Sequence, residues 1–311
     1  MSVILKFNGF VPNYFMSLEI FFDKYSINKE DWKKISSFFN VDLELSMKRK
    51  YMEKDFFLVE KNGKEFVPRV FPKEKKENFL QEQNIISFLN NESIKTSKAL
   101  QASNGETFFE INNNCFCFFE KIIGEHYDNS DLQLIEMSKE LANLHKVGKK
   151  FKGKKEISPK NNFDNLIFIK KLNNTYFDQA IERVKKANID WNKLDFSLIH
   201  GDPHPGNVLF NKNKFAGFID LEVARVDSTA FDLAWMSRTF TSKKGWRQTG
   251  EFDLERVELA KKEYSKIYKT NLDLLPELLL CNYIDYSNYK IERKLDIGEE
   301  IIQVKWILEN Y

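Results

Sequence analysis

Apolar residues alternate with polar ones through much of the first part of the chain. Two such runs, residues 55–60 and 65–71, flank a polar segment with an Asn-Gly pair, and two more, 108–111 and 115–120, flank three consecutive asparagines. A period of two is typical of half-buried strands, and Asn-Gly between apolar runs favours a tight turn. The pattern therefore predicts two β-hairpins in one small sheet.

A helical period dominates the rest of the chain. Residues 77–90 carry Phe79, Ile86 and Leu89 on one face, and Glu82 falls on that same face. Further helical patterns follow Asn28 and cover residues 131–147, 276–290 and 299–308. Because small strands precede a mainly helical part, the predicted fold class is α+β.

One segment concentrates side chains that can handle a proton or a metal ion. An apolar run enters a turn made of Gly, Pro, His, Asp and Asn at residues 200–207, and a second apolar run leaves it. A further apolar strand then delivers Asp220 at its end, after a polar hairpin tip at 211–214. We expect this hairpin to fold Asp220 back onto Asp202.

The chemistry of phosphoryl transfer explains these residue types. A nucleotide donor needs a cation held by hard oxygen ligands, and the attacking hydroxyl needs a group that orients it. Asp202, Asn207 and Asp220 match the base and the two metal ligands of such a site in order and type. A simple turn explains a lone His-Gly-Asp string equally well, but not the whole spaced set.

Residues 200–207 followed by Ile219-Asp220-Leu221-Glu222 resemble the aminoglycoside phosphotransferase and choline kinase superfamily of protein-kinase-like enzymes. The resemblance implies ATP as donor, Mg²⁺ as cofactor and a small-molecule hydroxyl as acceptor. It implies that Asp202 is the catalytic base and that Asn207 and Asp220 are the magnesium ligands.

The same resemblance implies a bilobal protein-kinase-like fold. Its small, sheet-containing lobe would cover residues 1–122, with an N-terminal extension at 1–40, and its larger, mainly helical lobe would cover 123–311. The segment that joins the lobes would bind the adenine edge through its backbone, which assigns Glu120 and Ile122 to the nucleotide.

Three further polar residues are interpreted as structural, and a fourth is excluded from the chemistry. Asp232, in a Phe-Asp-Leu-Ala string, resembles the family's later aspartate, which braces the catalytic loop. We expect His200 to hold that loop in shape and His145 to be a packed histidine, and we exclude His204 from the chemistry.

Glu82 needs a cation if its helical face is buried, because an unpaired buried carboxylate is strongly disfavoured. Arg69 is the candidate, since it falls where the resembled family has its phosphate-pairing base, and its planar fork suits carboxylates and phosphates. The alternative is an arginine that leaves the strand for solvent and a glutamate at the margin of the helix.

Two features favour a rival function, a nucleotide-binding pseudokinase or scaffold without transfer activity. Pro68 cannot donate a hydrogen bond beside the proposed Arg69. The preceding loop, residues 46–51, has no glycine, so its backbone cannot approach phosphates as a glycine-rich loop does.

Composition and charge limit the partners and the cellular location that we expect for the protein. The net charge of +2 from 48 basic and 46 acidic residues gives no bulk field for nucleic acid, and we expect no such partner. The apolar start, residues 1–22, is interrupted by polar residues, so neither a signal peptide nor a membrane span is predicted. The three cysteines are interpreted as buried free thiols, which suits a cytoplasmic protein.

The C-terminal third suggests a cationic acceptor. Residues 271–300 hold seven acids against three bases, and Tyr283, Tyr286 and Tyr289 share roughly one helical face among them. Carboxylates suit the ammonium groups of an aminoglycoside, and tyrosine faces suit a quaternary ammonium such as choline. The alternative is a solvated helix with a tyrosine seam toward the core.

Overall fold

The computed structural model describes residues 27–41, 48–51, 54–57, 59–61, 63–156, 169–243 and 251–311. The predicted N-terminal extension lies outside the described residues as far as residue 26. Side chains are described from residue 63 onward and at 27–41.

Within its described residues, the first part of the chain contains two α-helices and two antiparallel sheets. The bounds are α1 Lys29–Phe39, β1 Lys48–Tyr51, β2 Lys54–Phe57, β3 Val59–Lys61, β4 Lys64–Pro72, α2 Lys76–Asn91, β5 Phe109–Ile111 and β6 Asn114–Glu120. Strands β1 and β2 pair with each other, and the other four form a sheet in the order β3-β4-β6-β5.

Both predicted hairpins are present in the four-stranded sheet. Gly63 has φ +74° in the turn between β3 and β4, and Asn112 and Asn113 have φ +49° and +61° between β5 and β6. Asparagine and glycine tolerate this left-handed backbone better than other residues, which is why the sequence marks both turns.

Phenylalanine supplies much of the core against this sheet. Asn28 caps α1 by accepting hydrogen bonds from the backbone N–H groups of Glu30 and Asp31. The buried face of α1 then packs on β6, with Phe39 edge-on to Phe118 at 5.0 Å between ring centroids.

Two predictions about this part need revision. Lys48–Tyr51 is a strand, so the predicted glycine-free loop is not a loop at those positions, and residues 46–47 lie outside the described chain. Pro68 sits opposite Phe118 in the β4–β6 register, beyond the last β3 pair, Val59 with Phe66. Its missing N–H therefore breaks no β3–β4 pair among the described residues.

The described residues of the later part are mainly helical, with two short strand pairs. The bounds are α3 Asp131–Gly148, α4 Thr175–Lys186, β7 Phe196–Ile199, β8 Val208–Asn211, β9 Lys214–Phe218, β10 Arg225–Ser228, α5 Thr229–Phe240, α6 Leu254–Ser265, α7 Leu275–Glu292 and α8 Gly298–Asn310.

The chain divides into two compact units. One comprises residues 1–87 and 96–122, and the other comprises 88–95 and 123–311. The end of α2 therefore groups with the second unit, which the predicted boundary at residue 122 alone does not anticipate.

Among the described residues, no helix combines the length and the apolar character needed to cross a membrane.

Candidate active site

Short antiparallel strands fix both ends of the loop that carries Asp202. Strand β7 leads into the loop and pairs with β10, while β8 leaves it and pairs with β9, whose end delivers Asp220. The backbone N–H of Ile219 donates to the carbonyl of Asn207 at 2.9 Å. The hairpin thus returns the chain to the loop, as its spacing predicts.

Asp232, in the first turns of α5, braces the loop. Its carboxylate accepts hydrogen bonds from the backbone N–H groups of His200 at 2.7 Å and Gly201 at 2.8 Å, and from His145 Nε2 at 3.1 Å. Tyr264 Oη lies 2.6 Å from the other nitrogen of His145. Although burial disfavours a charged carboxylate, these bonds hold the pKa of Asp232 below its usual range.

The buried His200 ring has a defined tautomer. Its Nδ1 accepts from the Asp202 backbone N–H at 3.3 Å, so the ring proton lies on Nε2, which faces the Ile219 carbonyl at 3.2 Å. Burial lowers the pKa of His200, against the opposing charges of Asp232 and Asp202. The ring therefore joins the Asp202 loop to the residue before Asp220 in its neutral form.

Two glycines are required by close approach in this region. Gly201 has φ +84°, and a Cβ there would lie 2.5 Å from the Val223 carbonyl oxygen. At Gly148, the last residue of α3, a Cβ would lie 2.5 Å from Ser197 Oγ on β7. Both positions let backbone segments approach closely around the loop.

The two carboxylate oxygens of Asp202 have different surroundings. Trp235 Nε1 donates to Oδ1 at 2.6 Å. His204 Nε2 lies 3.4 Å from Oδ2, and Asn207 Nδ2 donates to the Asp202 carbonyl at 3.0 Å and to Oδ2 at 3.4 Å. The side chain keeps 36% of its surface exposed. One oxygen is therefore held by a short bond, while the other has only longer contacts.

Partial burial of the carboxyl group raises the pKa of Asp202 above its usual range, whereas the Trp235 hydrogen bond and the charge of Arg238 act in the opposite sense. His204, which we had excluded from the chemistry, contacts this group. Its Nδ1 accepts from the Gly206 N–H at 2.9 Å, so Nε2 carries the proton that points toward Asp202.

Asn207 and Asp220 present oxygen donors next to the loop. Asn207 is buried, and because its amide nitrogen donates to Asp202, its amide oxygen is the atom suited to a cation. Asp220 has φ +58°, a left-handed conformation that is uncommon outside glycine and that recurs at functional sites. An amide oxygen and a carboxylate are hard donors of the kind that Mg²⁺ prefers.

Arg69 and Glu82 form a buried ion pair within the first unit. Arg69 Nη1 lies 2.8 Å and 2.9 Å from the two carboxylate oxygens of Glu82, and the side chains are 10% and 1% exposed. The Arg69 guanidinium also lies 5.7 Å from the Phe119 ring centroid. The alternative of a solvent-directed arginine and a marginal glutamate is therefore wrong.

The backbone groups of Glu120 are engaged within the first unit. Its N–H donates to the Lys98 carbonyl at 2.7 Å, and its carbonyl accepts from Ser97 Oγ at 2.5 Å. Glu120 is thus less suited than Ile122 to the predicted nucleotide contact.

The tyrosine face of α7 already holds cations from the chain itself. Arg238 lies 4.4 Å from the Tyr283 ring centroid and 5.3 Å from that of Tyr286, and Arg293 lies 3.8 Å from that of Tyr289. Several of the nearby acids are also paired, namely Glu277 with Arg183, Glu292 with Arg293 and Glu300 with Lys290. The features that suggested a cationic acceptor are thus used internally.

Trp235 and Arg238 were not anticipated from the sequence. They follow Asp232 at steps of three residues on α5, so that one helical face carries all three. Their spacing can be read from the sequence, but the part of the molecule toward which this helical face points depends on how α5 packs.

The site combines Asp202, on a loop that Asp232 braces, with Asp220 at the end of a strand, in an α+β chain. This combination defines the class of protein. Residues 52–262 match the model of a family described as the phosphotransferase enzyme family. The match covers more than half of the chain, so the chain belongs to this family. The predictions of family membership and of a phosphotransferase enzyme are thereby confirmed.

Several solved structures share the fold. An amicoumacin kinase solved with AMP-PNP, Ca²⁺ and Ami is 14% identical, with a TM-score of 0.68 over 94% of this chain and 95% of that one. The choline kinase LicA from Streptococcus pneumoniae is 16% identical, with a TM-score of 0.63 over 91% of this chain and 99% of that one. A spectinomycin phosphotransferase solved with ADP and spectinomycin is 13% identical, with a TM-score of 0.58 over 90% and 93%.

At these identities the likeness establishes the fold alone, and it confirms the predicted α+β, protein-kinase-like class. No curated protein sequence matches the chain significantly.

Proposed function

We propose that this protein transfers the γ-phosphoryl group of ATP to a hydroxyl group of a small molecule, with Mg²⁺ as cofactor. The observation that carries the proposal is the arrangement of Asp202, with Oδ1 fixed by Trp235 at 2.6 Å and a partly exposed side chain. A carboxylate held by one oxygen presents the other in a fixed direction to an acceptor hydroxyl.

In this proposal each residue has one role. Asp202 orients the acceptor hydroxyl and takes its proton, and Asp232 keeps the loop that carries Asp202 in one conformation. Asn207 and Asp220 would hold Mg²⁺, which neutralises charge on the nucleotide phosphates when it is bound. Arg69, held by Glu82, would pair with the phosphates, and the backbone at Ile122 would contact the adenine.

The rival function is a nucleotide-binding scaffold without transfer. Its two supports have weakened, because residues 48–51 form a strand and Pro68 lies beyond the β3 pairs. The complete set of Asp202, Asn207 and Asp220 favours an active enzyme. The structures of kinases solved with AMP-PNP or ADP support an adenine nucleotide as donor.

The experiment is a screen for ADP release over a panel of hydroxyl-bearing acceptors, with mass spectrometry of the products. The panel should include cationic, neutral and anionic members, namely choline, aminoglycosides, sugars, homoserine and hydroxy acids. An active enzyme gives a phosphorylated product that depends on Mg²⁺ and on Asp202. Nucleotide binding without any phosphorylated acceptor would favour the scaffold.

A further inference from the structure

Arg238 lies in a box of three aromatic rings beside the proposed base. Its guanidinium carbon is 4.6 Å from the Trp235 ring centroid, 4.4 Å from that of Tyr283 and 5.3 Å from that of Tyr286. Ring faces attract a cation through their quadrupole, so the box stabilises the positive charge without neutralising it.

Arg238 differs from other arginines on aromatic rings in having no anionic partner within the part of the chain that the structure describes. Arg293 stacks on Tyr289 but pairs with Glu292 at 3.0 Å, and Arg225 pairs with Asp227 at 3.0 Å. Among the described residues no carboxylate pairs with Arg238, and its Nη1 is buried without a hydrogen-bond acceptor. A buried donor without an acceptor is costly, and a buried guanidinium is normally paired.

Trp235 joins this cation to the catalytic aspartate. Its indole N–H donates to Asp202 Oδ1 at 2.6 Å, and its ring lies against the Arg238 guanidinium. The Arg238 guanidinium is therefore one ring away from the carboxylate that would take the proton of the acceptor hydroxyl. Because ring faces rather than ion pairs hold Arg238, it can turn toward a ligand without breaking a salt bridge.

We propose that Arg238 recognises an oxyanion of the acceptor, a carboxylate or a phosphate group carried on the same molecule as the reactive hydroxyl. This inference rests on the proposed function and deepens it. The planar guanidinium can form two parallel hydrogen bonds with such a group. A quaternary ammonium does not fit here, because the faces of Tyr283 and Tyr286 already hold a cation that would repel it.

Two other roles would also place a cation here, and each makes a different prediction. In one, Arg238 only packs the rings together. In the other, its charge only acts on the Asp202 carboxylate. Neither role makes the enzyme sensitive to the charge of the acceptor.

The test uses three probes with one carbon skeleton, which are glycerate, glycerol and 3-aminopropane-1,2-diol. Wild type, Arg238→Gln and Arg238→Lys are compared with the control Arg293→Gln, an arginine that also stacks on a tyrosine. Binding is measured by thermal shift in the presence of Mg²⁺ and AMP-PNP, and KM and kcat are measured for every acceptor that is phosphorylated.

We expect wild type and Arg293→Gln to prefer glycerate over glycerol and to bind the amino diol least. Arg238→Gln should lower kcat/KM for glycerate roughly tenfold, mainly through a higher KM, and should leave kcat/KM for glycerol nearly unchanged. Arg238→Lys should retain part of the preference, because it keeps the charge and loses the planar fork.

Three results would overturn the inference: a preference for the cationic probe, no dependence on probe charge, or the same ranking in wild type and Arg238→Gln. A changed pH profile in Arg238→Gln with an unchanged ranking would assign the residue to Asp202 alone. If wild type phosphorylates no acceptor of the wider panel, the proposed function fails separately, and the binding ranking still decides the role of Arg238.

Discussion

Asp202, the proposed base, has two carboxylate oxygens that lie in different surroundings. Trp235 Nε1 donates to Oδ1 at 2.6 Å, while His204 Nε2 and Asn207 Nδ2 lie 3.4 Å from Oδ2. A carboxylate held in this way cannot rotate freely about its terminal bond. The orientation of the reactive oxygen therefore depends on a tryptophan rather than on the loop alone.

The change Trp235→Phe tests this dependence. It keeps a ring beside Arg238 but removes the N–H that holds Asp202, so we expect kcat to fall about tenfold, the order expected from losing one hydrogen bond to a charged group. Steady-state kinetics and thermal unfolding measure the effect. Trp306→Phe, on α8, is the control, and a kcat equal to that of the control would mean that the indole does not position the base.

Asp220 is the residue on which the proposed magnesium site depends. Asp220→Ala should abolish the Mg²⁺-dependent thermal shift caused by AMP-PNP, because the remaining amide oxygen of Asn207 is a weak ligand by itself. EDTA should have the same effect on the wild type. Asn213→Ala, at the exposed tip of the β8–β9 hairpin, should keep the full shift. A shift retained by Asp220→Ala would make this aspartate a turn residue only.

Helix α2 and strand β4 are joined by the Arg69–Glu82 pair. A buried ion pair contributes little net stability when complete, but removal of one partner leaves a buried charge uncompensated. We expect Arg69→Ala to destabilise the protein by about 3–5 kcal/mol and to raise KM for ATP. Chemical denaturation and initial-rate kinetics measure the two effects.

A double-mutant cycle separates coupling from independent effects. The variant with both Arg69→Met and Glu82→Leu should recover much of the stability lost in Arg69→Met alone, since it leaves no buried charge. Additive losses would show that the two side chains do not stabilise each other in solution.

The loop between β7 and β8 should make stability depend on pH through His200. Its pKa is lowered in the folded protein, so the unfolded chain binds the proton more readily, and stability falls as pH decreases below about 6.5. One such group contributes a slope of at most about 1.4 kcal/mol per pH unit. Urea unfolding of wild type and His200→Gln at several pH values measures it. Equal slopes in the two proteins would contradict this role.

For individual strands and helices, the local sequence was sufficient for most of the predictions. The hairpin turns were marked by Asn62-Gly63 and by Asn112-Asn113, residues suited to left-handed backbone, and the pairing of Arg69 with Glu82 followed from the cost of burying a carboxylate. Strand β10 was not predicted. Its pairing with β7 depends on tertiary contact rather than on a period in the short segment 225–228.

Across the whole molecule, the motifs indicated the family but not the acceptor. The acids and tyrosines of α7 suggested a cationic acceptor, yet Arg238, Lys290 and Arg293 lie over those rings. Lys290 belongs to α7 and Arg293 directly follows the end of that helix. Arg238 comes from α5, and its position over these rings depends on how the helices pack. In our proposal, recognition of the acceptor depends on contacts between helices that are distant in sequence.

The most direct test of the central claim is the comparison of wild type with Asp202→Asn. The amide is nearly isosteric and can still accept the Trp235 hydrogen bond, but it cannot take a proton from the acceptor. We predict that formation of the phosphorylated acceptor, followed by mass spectrometry, falls on the order of 100-fold or more. The dissociation constant of Mg-ATP should stay within a few-fold of wild type. Product formation near the wild-type rate in Asp202→Asn would contradict the assignment of Asp202 as the base of a phosphoryl-transfer site.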